Sequence, residues 1–492
     1  MKKRATFSQY LTVFTQRIVS RTIMVLCIFM QLPVAAQQQK MPNIVFVMAD
    51  DLGYSDLGCY GSDYYETPNI DQLASEGMRF TSAYAYSLCS PTRASFLTGK
   101  DPARLHITHA IPIKGYKRLG GGTATPLKDA DYVINLPLEE VTIAETLKKA
   151  GYVTARIGKY HVCEDSAYYA QYQGFDFNVA ADHHGHTSNY FFPYITRWRL
   201  AETDPWLEWK TLPDGKPGEY LTDRLTDEAI TFVEKNRKTP FFLYLSHYAV
   251  HTPIQAKPEL VEKFKEKAPD WKKGHVKPDY AAMILSLDES VGRLMRKLEE
   301  LGIDDNTIVF FMSDNGGHGK HTSNFPFRGN KGNFYEGGIR VPLIVRWPNV
   351  VKSGSASDIP VITADLYPTF LEMIGLPLMP EQHIDGKSLL PLLKGGKTPG
   401  HDALYWHFPN YTGVDHPDAA TPQSVVRYHD WKLIEFFETN TCELYNLKDD
   451  ITESKNLAAS HTILADSLKK MLNTWRIQAK VQMPGVNPGY RK

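Results

Sequence analysis

Four short apolar segments recur along the chain, and each is followed by polar residues capable of catalysis or metal binding. They occupy residues 43–48, 152–157, 241–245 and 307–312. Each is a nearly continuous run of aliphatic, β-branched or aromatic residues, which is typical of strands that are buried on both faces of a parallel sheet. The polar residues that follow are, in order, Asp50 and Asp51, Lys159 and His161, His247 and His251, and Asp314 and Asn315.

Helical patterns lie between these strands. Thr142 and Glu145 have the spacing of a capping box and predict a helix over residues 143–150. Residues 219–236 and 280–301 show helical periodicity of comparable length. Strands that alternate with helices predict an α/β fold with a largely parallel sheet. In such sheets the sites lie beyond the carboxyl ends of the strands, which is where this chain places its polar residues.

The pattern changes after residue 396. Residues 424–437 alternate like a pair of strands, residues 442–447 add another strand, and residues 460–478 form an amphipathic helix. This pattern predicts a small antiparallel sheet with one helix. We therefore expect a catalytic domain over residues 37–396 and a C-terminal subdomain over residues 397–492.

The N-terminus has the composition of a signal peptide. Residues 1–36 carry five basic residues and no acidic residue, an apolar run over 22–32, and small residues before Gln37. The apolar run is shorter than the about 20 residues that span a bilayer, so stable membrane insertion is not expected. The sequence thus predicts export to the periplasm or the medium.

Charge argues against nucleic acid as a partner. The full chain of 492 residues has 55 basic and 55 acidic residues. Without the five basic residues of the leader the balance is 50 against 55, a formal charge of −5. Proteins that bind polyanions are usually basic. An anionic substrate would therefore be held by a few local cations.

The strand-end carboxylates predict a metal site. Asp50, Asp51, Asp314 and Asn315 offer oxygen atoms only, without imidazole or thiolate. Oxygen ligands favour a hard cation, Ca²⁺ or alternatively Mg²⁺, over zinc. A single Asp-Asp pair before a glycine is often just a turn. Two such clusters, each at the end of a buried strand, indicate a site.

Residues 88–100 contain the pentapeptide C-x-P-x-R, formed by Cys89, Pro91 and Arg93. Ser90 is a suitable N-cap and Pro91 suits the first position of a helix, so the sequence places Cys89 at a helix N-terminus. Free N–H groups and the helix dipole favour an anion there, and Arg93 adds a cation one turn later.

These motifs together resemble the type I sulfatases of the alkaline phosphatase superfamily. The resemblance covers nearly all of the chain after the leader, and only Tyr160 departs slightly, where tryptophan is common in the family. It implies an α/β/α sandwich with a large, mixed, mainly parallel sheet. The motifs are C-S-P-T-R at 89–93, M-A-D-D-L-G-Y at 48–54, T-P-N-I-D-Q-L-A at 67–74, G-K-Y-H at 158–161, H-Y-A-V-H-T-P at 247–253, S-D-N-G-G at 313–317, and the segment 322–342 with R-G-N-K-G and Y-E-G-G-I-R-V-P.

The resemblance implies that a maturation enzyme oxidises Cys89 to formylglycine, whose hydrate attacks the sulfur of a sulfate ester. Residue 89 would also complete the metal site. His161 would act as the base that restores the aldehyde.

The resemblance further implies roles for the basic residues around this nucleophile. Lys159, Lys331 and Arg93 would neutralise the sulfate oxygens. His251, with Lys331 beside it, would protonate the leaving oxygen.

The substrate is less clearly encoded. Residues 181–209 are rich in aromatic and histidine side chains, which can either stack on sugars or simply pack on the core. His184, His186, Arg328 and His407 are candidates for binding the sugar. We expect an exo-acting sulfatase on a sulfated polysaccharide or its oligosaccharides.

Two alternatives stay open at the level of sequence. One is a phosphonate or phosphate ester hydrolase of the same superfamily. The other is a sugar-binding relative without catalysis, which the complete set of catalytic residue types argues against.

Overall fold

The computed structural model describes residues 41–111, 124–180, 183–194, 212, 215–267, 277–397, 400–412 and 420–491. The leader expected over residues 1–36 and the tryptophans Trp198, Trp206 and Trp209 lie outside these residues. Among the described helices none combines the length and the apolar character that a membrane span requires. The described residues from Pro42 onward belong to one compact unit, and the domain boundary at residue 396 stays a prediction.

Sixteen strands are present in the described ranges. They are β1 Asn43–Ala49, β2 Met78–Phe80, β3 Ala83–Tyr84, β4 Leu127–Lys128, β5 Val153–Gly158, β6 Phe177–Val179, β7 Phe241–Ser246, β8 Thr307–Ser313, β9 Leu343–Arg346, β10 Ser355–Ser357, β11 Val361–Ile362, β12 Ala403–Phe408, β13 Gln423–Tyr428, β14 Trp431–Phe436, β15 Thr441–Asn446 and β16 Gly485–Val486.

Eight of the strands form one mixed sheet in the order β10-β2-β9-β8-β1-β7-β5-β6. The central strand β1 pairs in parallel with β7 and β8, so Val45 lies opposite Leu243 on one side and Val309 on the other. β9 runs antiparallel to both β8 and β2. The four apolar segments predicted from the sequence are β1, β5, β7 and β8, and they are adjacent in this sheet.

The described residues also form ten α-helices, besides short 3-10 turns. They are α1 Pro68–Glu76, α2 Cys89–Thr98, α3 Ile143–Lys149, α4 Leu221–Asn236, α5 Pro258–Lys267, α6 Pro278–Glu300, α7 Glu336–Ile339, α8 Leu366–Met373, α9 Leu390–Leu393 and α10 Thr462–Ala479.

Helices cover both faces of the large sheet. On one face Val45 and Val47 of β1 share a buried cluster with residues of α4 and α6. On the other face the ring of Phe46 lies 4.3 Å from that of Phe96 in α2 and 6.3 Å from that of Phe370 in α8. Because successive residues of a strand point to opposite faces, a strand covered on both sides is apolar throughout, as the sequence indicated.

The predicted helix boundaries agree with the structure to within a few residues, with one correction. Thr142 and Glu145 form the capping box of α3, with the Glu145 N–H donating to Thr142 Oγ1 over 3.1 Å. Helix α2 begins at Cys89 and its N-cap is Leu88, so the prediction that Ser90 caps it is wrong. The Ser90 hydroxyl instead accepts a hydrogen bond from the Ile111 N–H, over 2.9 Å, and thereby holds a neighbouring segment.

The C-terminal part is the small antiparallel sheet with one helix that the sequence predicted. Its order is β12-β13-β14-β15, and α10 packs its apolar side against one face. The other face packs on the large domain, where the Trp406 indole N–H donates to the Ala85 carbonyl over 2.9 Å. Buried Lys432 of β14 also forms ion pairs of 2.9 Å with Glu336 of α7 and with Glu453. A buried charge requires such partners, so these ion pairs fix the position of the small sheet relative to α7.

Candidate active site

The carboxyl ends of β1 and β8 bring two acidic clusters together. Asp50 and Asp51 follow β1, and Asp314 and Asn315 follow β8, its direct neighbour in the sheet. The Asp314 N–H donates to the Ala49 carbonyl over 3.1 Å, and the Asp51 N–H donates to Asp314 Oδ1 over 3.2 Å. The parallel pairing therefore continues into the loops and fixes the positions of all four side chains.

Helix α2 directs Cys89 into this cluster. The thiol is buried, and Cys89 Sγ and carboxylate oxygens of Asp50 and Asp314 all lie within 4.8 Å of one another. The side chain belongs to the first residue of the helix, where the N–H groups have no partner within the helix. Cys89, Cys59 and Cys442 are free thiols among the described residues.

His161 contacts Cys89 directly. Its Nδ1 lies 3.2 Å from Cys89 Sγ, and its Nε2 lies 2.9 Å from the carbonyl oxygen of Ile111. A carbonyl only accepts, so Nε2 carries the proton and Nδ1 presents a lone pair to residue 89. Burial, together with the charge of Lys159, lowers the pKa of His161. The ring is thus neutral and able to accept a proton.

The oxygen cluster fits a hard cation. Asp50 Oδ1 and Asn315 Oδ1 are both buried and have no hydrogen-bond partner among the described residues. Burial raises the pKa of Asp50, and the nearby charge of Asp314 raises it further because like charges repel. A divalent cation would satisfy the two oxygen atoms and remove this repulsion. Asp50, Asp51, Asp314 and Asn315 are the residues that would hold it.

Two lysines and one arginine balance the carboxylates. Lys159 Nζ lies 2.6 Å from Asp50 Oδ2, and Lys331 Nζ lies 2.8 Å from Asp51 Oδ2. Burial alone would lower the pKa of Lys331, but the charge of Asp51 raises it. Lys331 therefore stays protonated.

The structure shows the protein contacts of Arg93. Its guanidinium is completely buried and donates to Asp314 Oδ2 from Nη2 over 2.7 Å. Its Nη1 contacts the Lys159 carbonyl and the hydroxyls of Tyr244 and Ser246. Arg93 thus holds Asp314 and the Lys159 backbone, and its contact with sulfate oxygens stays a prediction.

His251 lies across the cluster from His161. Its Nδ1 donates to the Thr252 carbonyl over 2.8 Å, and its Nε2 faces Asp51 Oδ2 at 3.6 Å. Burial, and then the charge of Lys331, lower the pKa of His251. The ring of His186 is stacked parallel to that of His251 with centroids 5.7 Å apart. The structure thus brings His186, a candidate from the sequence, to the site.

The loop that carries His186 also covers His161. Gly185 is so close to the imidazole that a Cβ added to it would lie 2.3 Å from Cε1 and 2.4 Å from Nε2 of His161. The buried neighbour His184 packs its ring against His183, with centroids 4.1 Å apart. Sequence reasoning named the two histidines and missed Gly185, whose importance comes from a contact between distant parts of the chain.

Two other candidates for binding sugar do not belong to this cluster. His407 is buried in β12 with Nδ1 2.6 Å from Ser424 Oγ and Nε2 2.7 Å from the Gln482 carbonyl, so both nitrogens are engaged. Arg328 stacks on the Tyr335 ring at 3.8 Å and donates to the Glu453 carbonyl. Each side chain thus contacts the C-terminal part of the chain, and a role in binding the sugar stays a prediction for both.

Sequence reasoning also missed polar residues that support the site. Tyr244 and Ser246 of β7 hold Arg93, and the Tyr280 hydroxyl of α6 donates to the carbonyl of Asp51 over 3.2 Å. Tyr244 lies in an apolar strand and Tyr280 in an amphipathic helix. In such patterns the sequence alone predicts that a tyrosine is a core residue. Their hydroxyl partners are visible only in the folded chain.

The site combines a residue at a helix N-terminus, a neutral base, three carboxylates and two lysines. This is a hydrolytic centre for an anionic ester. Residues 42–376, more than half of the 492 residues, match the Sulfatase family, and residues 329–478 match the family described as N-sulphoglucosamine sulphohydrolase, C-terminal. The chain therefore belongs to the sulfatase family and is a sulfuric ester hydrolase.

Individual relatives agree with this assignment. A sulfatase of Formosa agariphila is 36% identical over 502 residues, covering 89% of this chain and 89% of that protein. The steryl-sulfatase of Homo sapiens is 30% identical over 443 residues, covering 75% of this chain and 72% of its own. The solved structure of Ps i-CgsB in complex with k-i-k-neocarrahexaose has a TM-score of 0.74 and 30% identity, covering 89% of this chain and 93% of that one. The alkaline-phosphatase-like α/β fold is thus confirmed.

Proposed function

We propose that this sulfatase removes a sulfate group from a carbohydrate, acting at the terminal sugar of a sulfated polysaccharide or of its oligosaccharides. The carbohydrate is supported by a similar structure that was solved with a neocarrahexaose. Action at a chain end follows from the resemblance, since pockets in this family are usually closed at one end.

The contact between Cys89 and His161, next to the oxygen cluster, carries the proposal. The thiol lies 3.2 Å from the lone pair of a neutral imidazole and within 4.8 Å of two carboxylates. After oxidation by a maturation enzyme, the hydrate of formylglycine at position 89 would offer two hydroxyls here. Ca²⁺ or Mg²⁺ held by the oxygen cluster would make a hydroxyl more acidic and polarise the sulfate.

We assign the proton transfers to two histidines. One hydroxyl of residue 89 would attack sulfur and release its proton, and the bond between sulfur and the sugar oxygen would break. His251, which is neutral with its Nε2 toward Asp51, would take up that proton and deliver it to the sugar oxygen as it leaves. His161 would then take the proton of the second hydroxyl, so that the bond between carbon and the sulfate oxygen breaks, sulfate leaves and the aldehyde is restored.

Lys159 and Lys331 complete the proposed machinery. Their ammonium groups lie against Asp50 and Asp51, and Asp50 is itself one of the carboxylates beside Cys89. Fixed positive charges in a buried site stabilise the oxygen atoms on which charge concentrates during transfer. Lys331, which stays protonated, also stabilises the leaving oxygen beside His251.

Export is part of the proposal. The basic and apolar leader over residues 1–36 supports a mature protein that begins near Gln37 in the periplasm or the medium. N-terminal sequencing of the natively exported protein tests this directly. Retention of Met1 would contradict it.

The decisive experiment measures free sulfate released from defined sulfated oligosaccharides by protein that carries the oxidised residue and bound cation. Paired aryl sulfate and aryl phosphate esters are compared in parallel. This comparison distinguishes a sulfatase from a phosphate or phosphonate ester hydrolase of the same superfamily. We expect sulfate release from a sugar and a higher kcat/KM for the aryl sulfate. Hydrolysis of aryl sulfate without release from any carbohydrate would refute the carbohydrate substrate.

A further inference from the structure

A second pocket is formed by the loop that connects the acidic cluster to Lys331. The cavity has a volume of about 690 Å³. Its described lining comes from the residues that follow Gly317 and from Lys277, immediately before α6. We call it the basic loop pocket. Its principal lining residues are Lys277, Lys320, His321, Ser323, Phe325 and Asn330.

Two unpaired lysines give the pocket its charge. Lys277 and Lys320 are both exposed, and no described carboxylate forms an ion pair with either. The described lining residues include no aspartate or glutamate. Burial lowers the pKa of His321 to about 4, so its ring is neutral and the two lysines supply the charge. Uncompensated lysines around a concave surface attract an anion.

The remaining lining suits a sugar. The Phe325 side chain is 63% exposed, an unusual position for a large apolar ring, and its flat face is available for stacking. Nδ1 of His321 is shielded from solvent and has no hydrogen-bond partner among the described residues. Ser323 and Asn330 add polar groups. A few polar groups beside an aromatic surface are typical of a ligand site.

The pocket is tied to the reaction centre through the same loop. The Lys331 N–H donates to the Gly317 carbonyl over 3.1 Å, which closes the loop at its base. The ring of His321 stacks on that of Tyr280, with centroids 6.5 Å apart. The Tyr280 hydroxyl in turn donates to the carbonyl of Asp51. Tyr280 thus contacts both a lining residue of the pocket and the backbone of the oxygen cluster.

We propose that the basic loop pocket binds a second sulfate group, carried by a sugar next to the one that reacts. This inference rests on the proposed function and defines its substrate as a multiply sulfated oligosaccharide. Lys277 and Lys320 bind the sulfate as point charges, while Phe325 packs against the sugar that bears it. A substrate with a single sulfate makes no contact with the two lysines.

The test compares substrates that do and do not reach the pocket. The variants are Lys277→Ala/Lys320→Ala and Phe325→Ala, with Lys394→Ala, an exposed lysine of another cavity, as the matched control. The substrates are 4-nitrophenyl sulfate and multiply sulfated hexasaccharides of the carrageenan, fucan and heparan sulfate series. KM and kcat are measured at low and high salt concentration.

One of the hexasaccharides should be desulfated by the wild type. For that substrate we expect the double lysine variant to have a KM that is higher by about fivefold to tenfold, because two exposed ion pairs are lost. The increase should shrink at high salt, because salt screens exposed charges. KM for 4-nitrophenyl sulfate and all values for Lys394→Ala should be unchanged. Phe325→Ala should raise KM for the hexasaccharide independently of salt.

Each outcome separates this inference from the proposed function. A protein that desulfates hexasaccharides equally well with and without the two lysines refutes only the second sulfate site. A protein that hydrolyses aryl sulfate and single sulfated sugars but no hexasaccharide also refutes the site and leaves the carbohydrate substrate intact. Equal losses on the aryl sulfate would mean that the lysines support the catalytic loop, and would overturn the inference.

Discussion

The imidazole of His161 connects the thiol of Cys89 to the backbone carbonyl of Ile111, with distances of 3.2 Å and 2.9 Å. His161 and Cys89 are 72 positions apart in the chain. The carbonyl fixes which nitrogen carries the proton, and the other nitrogen faces residue 89. A ring held in this way can serve repeatedly as a base at one atom.

Oxidation of Cys89 is the first prediction. Protein produced with a formylglycine-generating enzyme should show the aldehyde at position 89 in peptide mass spectra. Cys89→Ala should abolish turnover, because alanine supplies neither hydroxyl of the hydrate. Active protein that contains only the unmodified thiol would refute the nucleophile.

Gly185→Ala should impair His161 specifically. The new Cβ would lie 2.3 to 2.4 Å from atoms of the imidazole, which must then move away from residue 89. Because base catalysis is typically worth ~10²–10⁴-fold, we expect kcat on an aryl sulfate to fall by about 10²-fold. Gly485→Ala is the matched control, since nothing lies within 4 Å of its Cβ. Equal kcat values for the two variants would show that the loop does not position the ring.

Removal of the cation should abolish activity. Asp50 Oδ1 and Asn315 Oδ1 are buried, have no hydrogen-bond partner within the described ranges, and are expected to bind Ca²⁺ or Mg²⁺. Activity lost in chelator should return with one of these ions. Asp314→Ala should lower kcat/KM by about 10²-fold or more, because cation-assisted stabilisation is worth several kcal/mol. Restoration by zinc alone, or full activity of Asp314→Ala, would contradict the assignment.

His251→Ala should distinguish poor from good leaving groups. A sugar oxygen needs a proton as it leaves, so we expect a loss of ~10²–10⁴-fold in kcat/KM on a sulfated sugar. An activated aryl oxide needs little help and should lose far less. His161→Ala should lower kcat on both substrates, because both share the restoration of the aldehyde. Equal losses for His251→Ala on the two substrates would assign the acid to Lys331 instead.

His401 should make stability depend on pH. Burial alone would lower its pKa, but the charge of Asp365 and a hydrogen bond of 2.6 Å to it outweigh burial, so the pKa lies above 6.5. The folded state therefore binds the proton more tightly than the unfolded state. The resulting stabilisation of the fold is complete below pH 6.5 and is lost as the pH rises through the pKa of the folded state. His401→Gln retains a donor without titrating.

Thermal unfolding of the wild type and His401→Gln measures this effect. The stability advantage of the wild type should be about 1 kcal/mol near pH 5.5 and should decline toward pH 9. Exposed His461 has no described carboxylate partner, so His461→Gln is the control. An advantage of the wild type that is constant with pH would show that the ion pair does not titrate in this range.

The sequence by itself determined the α/β class, the four central strands and which oxygen-bearing residues follow neighbouring strands. Strands β1, β5, β7 and β8 were evident because a strand buried on both faces must be apolar at every position, which is a local property of the chain. Asp50, Asp51, Asp314 and Asn315 could be grouped because neighbouring parallel strands end at the same edge. The antiparallel C-terminal sheet followed from alternation in the same way.

Only the tertiary structure decided which atoms meet. Asp314, 221 residues away from Arg93, and Tyr244, 151 residues away, both accept hydrogen bonds from its guanidinium. The fold also buries His407 between strands and brings Gly185 against the imidazole of His161. Residue type and periodicity are encoded locally, whereas a hydrogen-bond partner depends on how distant segments pack, and this packing is specified by the whole chain at once.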